Sequence, residues 1–208
     1  MKPIPHEGGF LNLEVTRSQA IEKLAARNPE AVSRDADVVY LEQDSSFTVR
    51  FINQSYKVYY PGGEITGPGG KAPVYQSILI LHYLITADGS PLSGEWISFR
   101  HLPGGDIYTE PFRRRAVLPF LKAFGSEPES FVRAASALGG SRLEGSGTRM
   151  IIPVFPRVLL NFTLWAGDEE LPPSAAILFD ARAASYLPTE DYAHLPALLI
   201  EAMQRHRD

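Results

Sequence analysis

The sequence predicts a single α+β domain, a mostly antiparallel sheet of six to eight strands packed on a buried central helix with flanking helices. Three observations carry that expectation. Period-two alternation recurs between residues 38 and 66 and again over 157–166. The segment 73–87 is apolar around its whole circumference. The second half then supplies further helices with recognisable starts and stops. A length of 208 residues suits one domain, read as an N-terminal tail with helices over 1–37 and the α+β domain over 38–208, with no repeat or linker to divide it.

Taken in order, residues 17–27 place Ala20, Ile21, Leu24 and Ala25 at the i, i+3, i+4 spacing of a helix that buries one stripe. Asn28 before Pro29 reads as an N-cap with proline at the first helical position, opening a short turn to about Ser33. Phe47, Val49 and Phe51 then alternate with polar neighbours, as do Tyr56, Val58 and Tyr60, which predicts three or four strands with one buried face. Gly67-Pro68-Gly69-Gly70 is expected to break this sheet, and Pro73 to open the central helix that Asp88-Gly89 stops. Residues 95–100 read as a short strand before the loop Pro103-Gly104-Gly105. A helix over 111–124 follows, and Ser126-Glu127-Pro128-Glu129 reads as a capping box for the next.

The glycine-rich stretch 140–147 is expected to be a mobile loop or lid. Residues 149–155 form a strand in which Pro153 requires an edge or bulge. The strongest strand pattern is 157–166, with Val158, Leu160, Phe162 and Leu164 on one face and Leu159, Asn161, Thr163 and Trp165 on the other. An acidic loop over 167–174, a short strand over 175–180 and a closing amphipathic helix over 189–205 complete the chain.

Composition narrows the function. The absence of cysteine removes disulfides, thiolate nucleophiles, thiolate zinc sites and cysteine-ligated iron–sulfur clusters, and suits a reducing, cytoplasmic location. Residues 1–10 lack an apolar signal-peptide core, and the longest apolar run, 78–85, is far shorter than the roughly 20 residues a bilayer crossing needs. Twenty basic against 24 acidic residues leave a net charge of −4, which disfavours nucleic acid. The run Arg113-Arg114-Arg115 is read as solvated helix surface, with Arg113 best placed should an anion bind.

His82 is the first candidate for a ligand contact, because an imidazole on an otherwise apolar helix must find partners for its ring nitrogens. It could ligate a metal or a corrin cobalt, or simply be a core histidine bonded to a backbone carbonyl. Arg100 and His101 precede a glycine turn, where a strand presents groups to a ligand. Asp168 and Glu169, beyond Trp165, could join Asp180 around a divalent metal such as Mg2+ or Ca2+, although an exposed, solvated acidic loop is the favoured reading. Walker, dinucleotide-binding, H-E-x-x-H and G-x-S-x-G patterns are all missing. Glu190 and Asp191 are accounted for by the dipole of the last helix.

A set of motifs in order, Leu81-His82-Tyr83-Leu84, residues 94–100 (GEWISFR), Leu138-Gly139-Gly140, Phe155-Pro156-Arg157, Trp165 with Asp168-Glu169, residues 177–180 (ILFD) and 186–191 (YLPTED), resembles a bacterial and archaeal family, domain of unknown function 3786. The resemblance covers roughly residues 38–200. It brings no established activity with it, but implies a setting in anaerobic one-carbon or corrinoid metabolism, since some members carry an added cysteine-rich segment like an iron–sulfur module. This chain, having no cysteine, cannot hold that cluster. The expectation is therefore a non-catalytic binding or accessory protein with a protein partner or small-molecule cofactor. The alternatives are a small metal-dependent hydrolase using His101 or His82 with Asp168 and Glu169, and a corrinoid or tetrapyrrole carrier with His82 as ligand.

Overall fold

The computed structural model describes residues 10–207; residues 1–9, most of the stretch read as lacking a signal peptide, lie outside the described residues. Helix α1 (Phe10–Ala25) turns Ala20 and Leu24 inward, as their spacing requires. In α2 (Pro29–Ala36) the Asn28 side chain accepts a hydrogen bond from the Ala31 amide at 2.9 Å, the cap that was expected. The helix continues past Ser33 because Val32 and Ala36 both enter the core. These two helices share one hydrophobic cluster with the rest of the chain.

Strands β1 (Val39–Leu41), β2 (Ser46–Phe51), β3 (Gln54–Tyr59), β4 (Ile65–Gly67) and β5 (Gly70–Lys71) form an antiparallel meander in chain order. Phe47, Val49, Phe51, Tyr56 and Val58 are buried while Thr48, Arg50 and Ser55 face solvent, the alternation that the sequence carries. Gly67-Pro68-Gly69-Gly70 does not break the sheet. It makes the tight return in which Gly67 pairs with Gly70.

The central helix α3 (Val74–Thr86) buries Ser77, Ile78, Leu79, Ile80, Leu81, Tyr83 and Leu84, residues on every side of its axis. It packs on α1 and α2, and Tyr83 stacks on Phe155 with ring centres 4.3 Å apart. Each large apolar side chain enclosed in this way contributes about 1.5–3 kcal/mol.

After α3 the strands build a second sheet: β6 (Trp96–Ser98), β7 (Ser141–Leu143), β8 (Thr148–Phe155), β9 (Val158–Trp165) and β10 (Ser174–Asp180), ordered β6-β10-β9-β8-β7 and antiparallel throughout. The α+β class stands, but the strands form two five-stranded sheets in place of one of six to eight. The division falls where α3 interrupts the chain, since each set pairs only within itself. The sheets meet at the β2–β3 turn, where the Ile52 amide donates to the Val154 carbonyl at 2.6 Å and the Phe51 and Phe155 rings lie 4.9 Å apart.

Pro153 sits beyond the end of β7 and beside a register shift, the tolerance that a ladder-breaking residue needs. The stretch 140–147, expected as a lid, is instead the edge strand β7 and its return to β8. It is tied down by the Trp165 indole N–H donating to Ser146 Oγ at 3.1 Å and by Arg149 donating to the Glu144 carbonyl.

On the inner face of the second sheet Phe162 meets Phe120, and the helices α5 (Leu118–Phe124), α6 (Pro128–Ala137) and α8 (Leu195–Gln204) close the layer. Helix α4 (Thr109–Phe112), a π-helical turn (Arg113–Val117) and α5 (Leu118–Phe124) follow one another without a break. Helix α6 (Pro128–Ala137) starts without the expected capping box, because its N-cap is Glu127 in place of Ser126, and the Glu127 carboxylate is itself held by Arg207. The closing helix is divided into α7 (Thr189–Tyr192) and α8 (Leu195–Gln204), with His194 at the join and Pro196 in the first turn of α8. Among the described residues no helix is long and apolar enough to cross a membrane.

Candidate functional site

Tyr75 and His82 are seven positions apart, two turns of α3, so both side chains lie on the same face of a largely apolar helix. His82 retains 20% side-chain exposure, and its Nδ1 lies 2.7 Å from Oδ2 of Asp191 on α7. A carboxylate only accepts, so Nδ1 carries the shared proton, and whenever the ring is neutral the lone pair is on Nε2. Asp191 is therefore more than a dipole-compensating residue at a helix start: its carboxylate is buried and turned to an imidazole 109 positions earlier in the chain.

Three residues beyond Asp191, His194 is almost fully buried. Arg115 Nη1 approaches its two ring nitrogens at 3.3 and 3.5 Å, and the Tyr75 ring meets it edge-on at 5.6 Å. Burial pushes the Tyr75 phenol far above its ordinary value, with the Asp191 charge adding to the rise, Arg115 opposing it and Glu190 reinforcing it, so Tyr75 keeps its proton. Two imidazoles, a carboxylate, a guanidinium and a phenol thus gather where α3, the π turn and the α7–α8 join come together.

The π turn explains why one arginine of three faces inward. Pro119 has no amide hydrogen to give to the turn before it, and in the widened turn the Leu118 amide instead bonds the Arg113 carbonyl five residues back. Arg113 and Arg114 extend toward Glu110 at 3.7 and 2.9 Å on the exposed side, while Arg115 reaches His194. Arg113, the arginine favoured for an anion, is thus a solvated surface residue.

The remaining candidates lie elsewhere. Arg100 and His101 belong to a short 3-10 turn in place of the strand end, both exposed, with His101 Nδ1 3.1 Å from Ser98 Oγ. The glycines that follow serve the chain itself: a Cβ on Gly105 would fall 2.0 Å from the Phe99 carbonyl. Trp165 lies over the β7–β8 return. The Asp168 carboxylate accepts the amides of Glu170 and Leu171, which lowers its pKa and closes its own loop.

Asp180 stands at the opposite end of β10 from that loop, about 20 Å along the strand. Its oxygens accept the amides of Ser93, Gly94 and Arg182 at 2.8–3.1 Å and the Ser93 hydroxyl at 3.0 Å. Burial alone would raise its pKa, but these bonds prevail and lower it. Asp168 and Glu169 are consequently not gathered with Asp180 around a cation. Among the described residues no three His, Asp or Glu side chains are grouped so as to hold a metal ion.

Sequence reasoning reached His82 and missed Tyr75, Arg115, Asp191 and His194. Two signals were available: the i, i+7 relation of Tyr75 to His82, and Pro119 within a helical pattern, which marks a perturbed turn just after the arginine run.

Fold and site together define an α+β protein with a polar junction set among its helices. The chain belongs to the family described as Domain of unknown function (DUF3786), whose model matches residues 28–202. No curated protein and no solved structure matches the chain.

Proposed function

We propose that the protein is a cytoplasmic, non-catalytic binding or accessory protein whose contact group is the His82 imidazole. The observation that carries this reading is the 2.7 Å bond from His82 to a buried carboxylate, which fixes the ring and leaves Nε2 for a ligand. Grouping ionisable side chains in a helix junction contributes little to stability compared with apolar packing, which favours a role in binding. The hydrolase alternative gains nothing from Asp168, Glu169 and Asp180, which stand apart from one another and serve their own loops. The cysteine-free composition supports the cytoplasmic location, and the family resemblance supports an anaerobic metabolic setting.

One observation favours the carrier version of this reading. Metal-ligating histidines commonly donate their second ring nitrogen to a carboxylate, the relation that His82 has with Asp191. A corrinoid or tetrapyrrole would supply a metal for an imidazole to ligate; His82 would be the ligand and Asp191 its orienting partner. The test is an anaerobic titration with cobalamin followed by visible absorption, together with hydrolysis assays on p-nitrophenyl ester and phosphate substrates. The carrier version predicts a spectral shift that His82→Ala abolishes and Asp191→Asn weakens; no shift removes that version and leaves the binding-protein reading. Turnover of either substrate that His82→Ala abolishes overturns the non-catalytic reading altogether.

A further inference from the structure

Away from the His82 junction, a cavity of about 550 Å³ opens between the β4–β5 return, the β2–β3 turn, the start of α3 and the end of α8. That volume lies within the range of small-molecule sites. Its lining has an unusual charge pattern: Lys71, Arg205 and His206 contribute to it, and no aspartate or glutamate does. In a chain with more acidic than basic residues this wall is locally inverted. Arg205 and His206 follow the end of α8, where cations complement the helix carbonyls, and Arg205 also approaches Glu201 at 3.7 Å. Neither relation accounts for Lys71, which comes from β5 in the other half of the chain and has no ion pair among the described residues.

The rest of the wall suits a polar ligand. Tyr56 is nearly buried, and its hydroxyl is held between the side-chain amides of Gln54 and Gln76 at 3.0 and 3.1 Å. The one hydroxyl proton is shared between the two Oε1 acceptors. Gly67 must be glycine because a Cβ there would fall 2.5 Å from the Tyr56 ring, whereas Gly69 and Gly70 border open space. The glycine segment that matched no nucleotide-binding pattern therefore shapes one rim of a cationic cavity.

We propose that this cavity binds a small phosphorylated molecule, with Lys71 and Arg205 holding the phosphate and the Gln54–Tyr56–Gln76 set contacting its polar remainder. A doubly charged phosphate uses both a point charge and a guanidinium fork, whereas a monocarboxylate needs only one. This site is independent of His82.

The experiment is a calorimetric titration of the full chain with inorganic pyrophosphate at fixed ionic strength, with acetate and citrate as comparison anions. Amide NMR shifts of Gly69, Gly70 and Lys71 report the location. Expected are saturable pyrophosphate binding, a loss of at least about tenfold in affinity for Lys71→Ala with Arg205→Ala, a similar loss for Gly69→Glu, and no change for His82→Ala. Gly69→Glu places a negative charge in open space, so it tests the site without disturbing the core. Binding no tighter than that of acetate, binding of citrate in preference to pyrophosphate, or affinity unchanged in these cavity variants would overturn the proposal.

Discussion

Asp180 and Asp191 are buried to nearly the same degree, 4% and 7% exposed, yet they are held in opposite ways. Asp180 is bound mainly by main-chain amides, joining residues 93–94 to the end of β10 and to Arg182, so its partners cannot be removed by substitution. Asp191 is bound by one imidazole, itself partly open to solvent. A carboxylate that fastens backbone to backbone is a structural corner. One that orients an imidazole at 20% exposure holds a side chain still partly open to solvent.

The largest expected effect tests the corner. Asp180→Ala strands three amides and should lower unfolding stability by about 3 kcal/mol in urea denaturation. Because the folded pKa of Asp180 is lowered, its contribution is complete above the unfolded carboxylate value of about 4 and is lost as pH falls through the lower folded value. Wild type should therefore lose stability on acidification below about pH 4 more steeply than Asp180→Asn. Equal slopes would show that the amide contacts do not favour the ionised form.

At the junction, His82→Ala leaves a buried carboxylate without its partner and should cost about 1–3 kcal/mol. Replacing both members, His82→Leu with Asp191→Leu, should return stability to within about 1 kcal/mol of wild type, since apolar packing substitutes well for a buried polar pair. If the double variant is as unstable as the sum of the singles, the pair is a structural corner like Asp180 and the contrast fails. Smaller still, Arg115→Ala should cost about 1 kcal/mol through its contact with buried His194. Arg113→Ala, which loses only an exposed 3.7 Å pair, should stay within about 0.5 kcal/mol, and equal losses would mean that the junction does not extend to Arg115.

What the sequence made legible follows the range of the forces involved. The Asn28 cap, the first meander, the enclosed α3 and the faces of β9 are local patterns, and each lies where its periodicity or capping chemistry put it. The expectation failed where a distant part of the chain decides. Asp191 read as a helix-start residue because its partner lies 109 positions away, and no local pattern announces that meeting. Asp180 read as a possible metal ligand because carboxylate spacing does not reveal that amides from residues 93–94 already fill its oxygens. The lid over 140–147 failed for a related reason: its glycines permit a loop, but pairing of Ser141 with Ile151 turns the segment into an edge strand.

The π turn has a consequence for how this part of the chain can change. A helix is a screw, and a single added or removed residue advances its phase by about 100°. Before the turn, Phe112 is stacked on Phe99, and after it Phe120 is seated against Phe162, so neither half is free to rotate. Deleting one residue between them would let the screw close regularly only by tearing one of those aromatic seats loose. The extra residue is thus locked in from both sides, and any shortening there would swing the guanidinium away from its imidazole before it gained a better hydrogen bond.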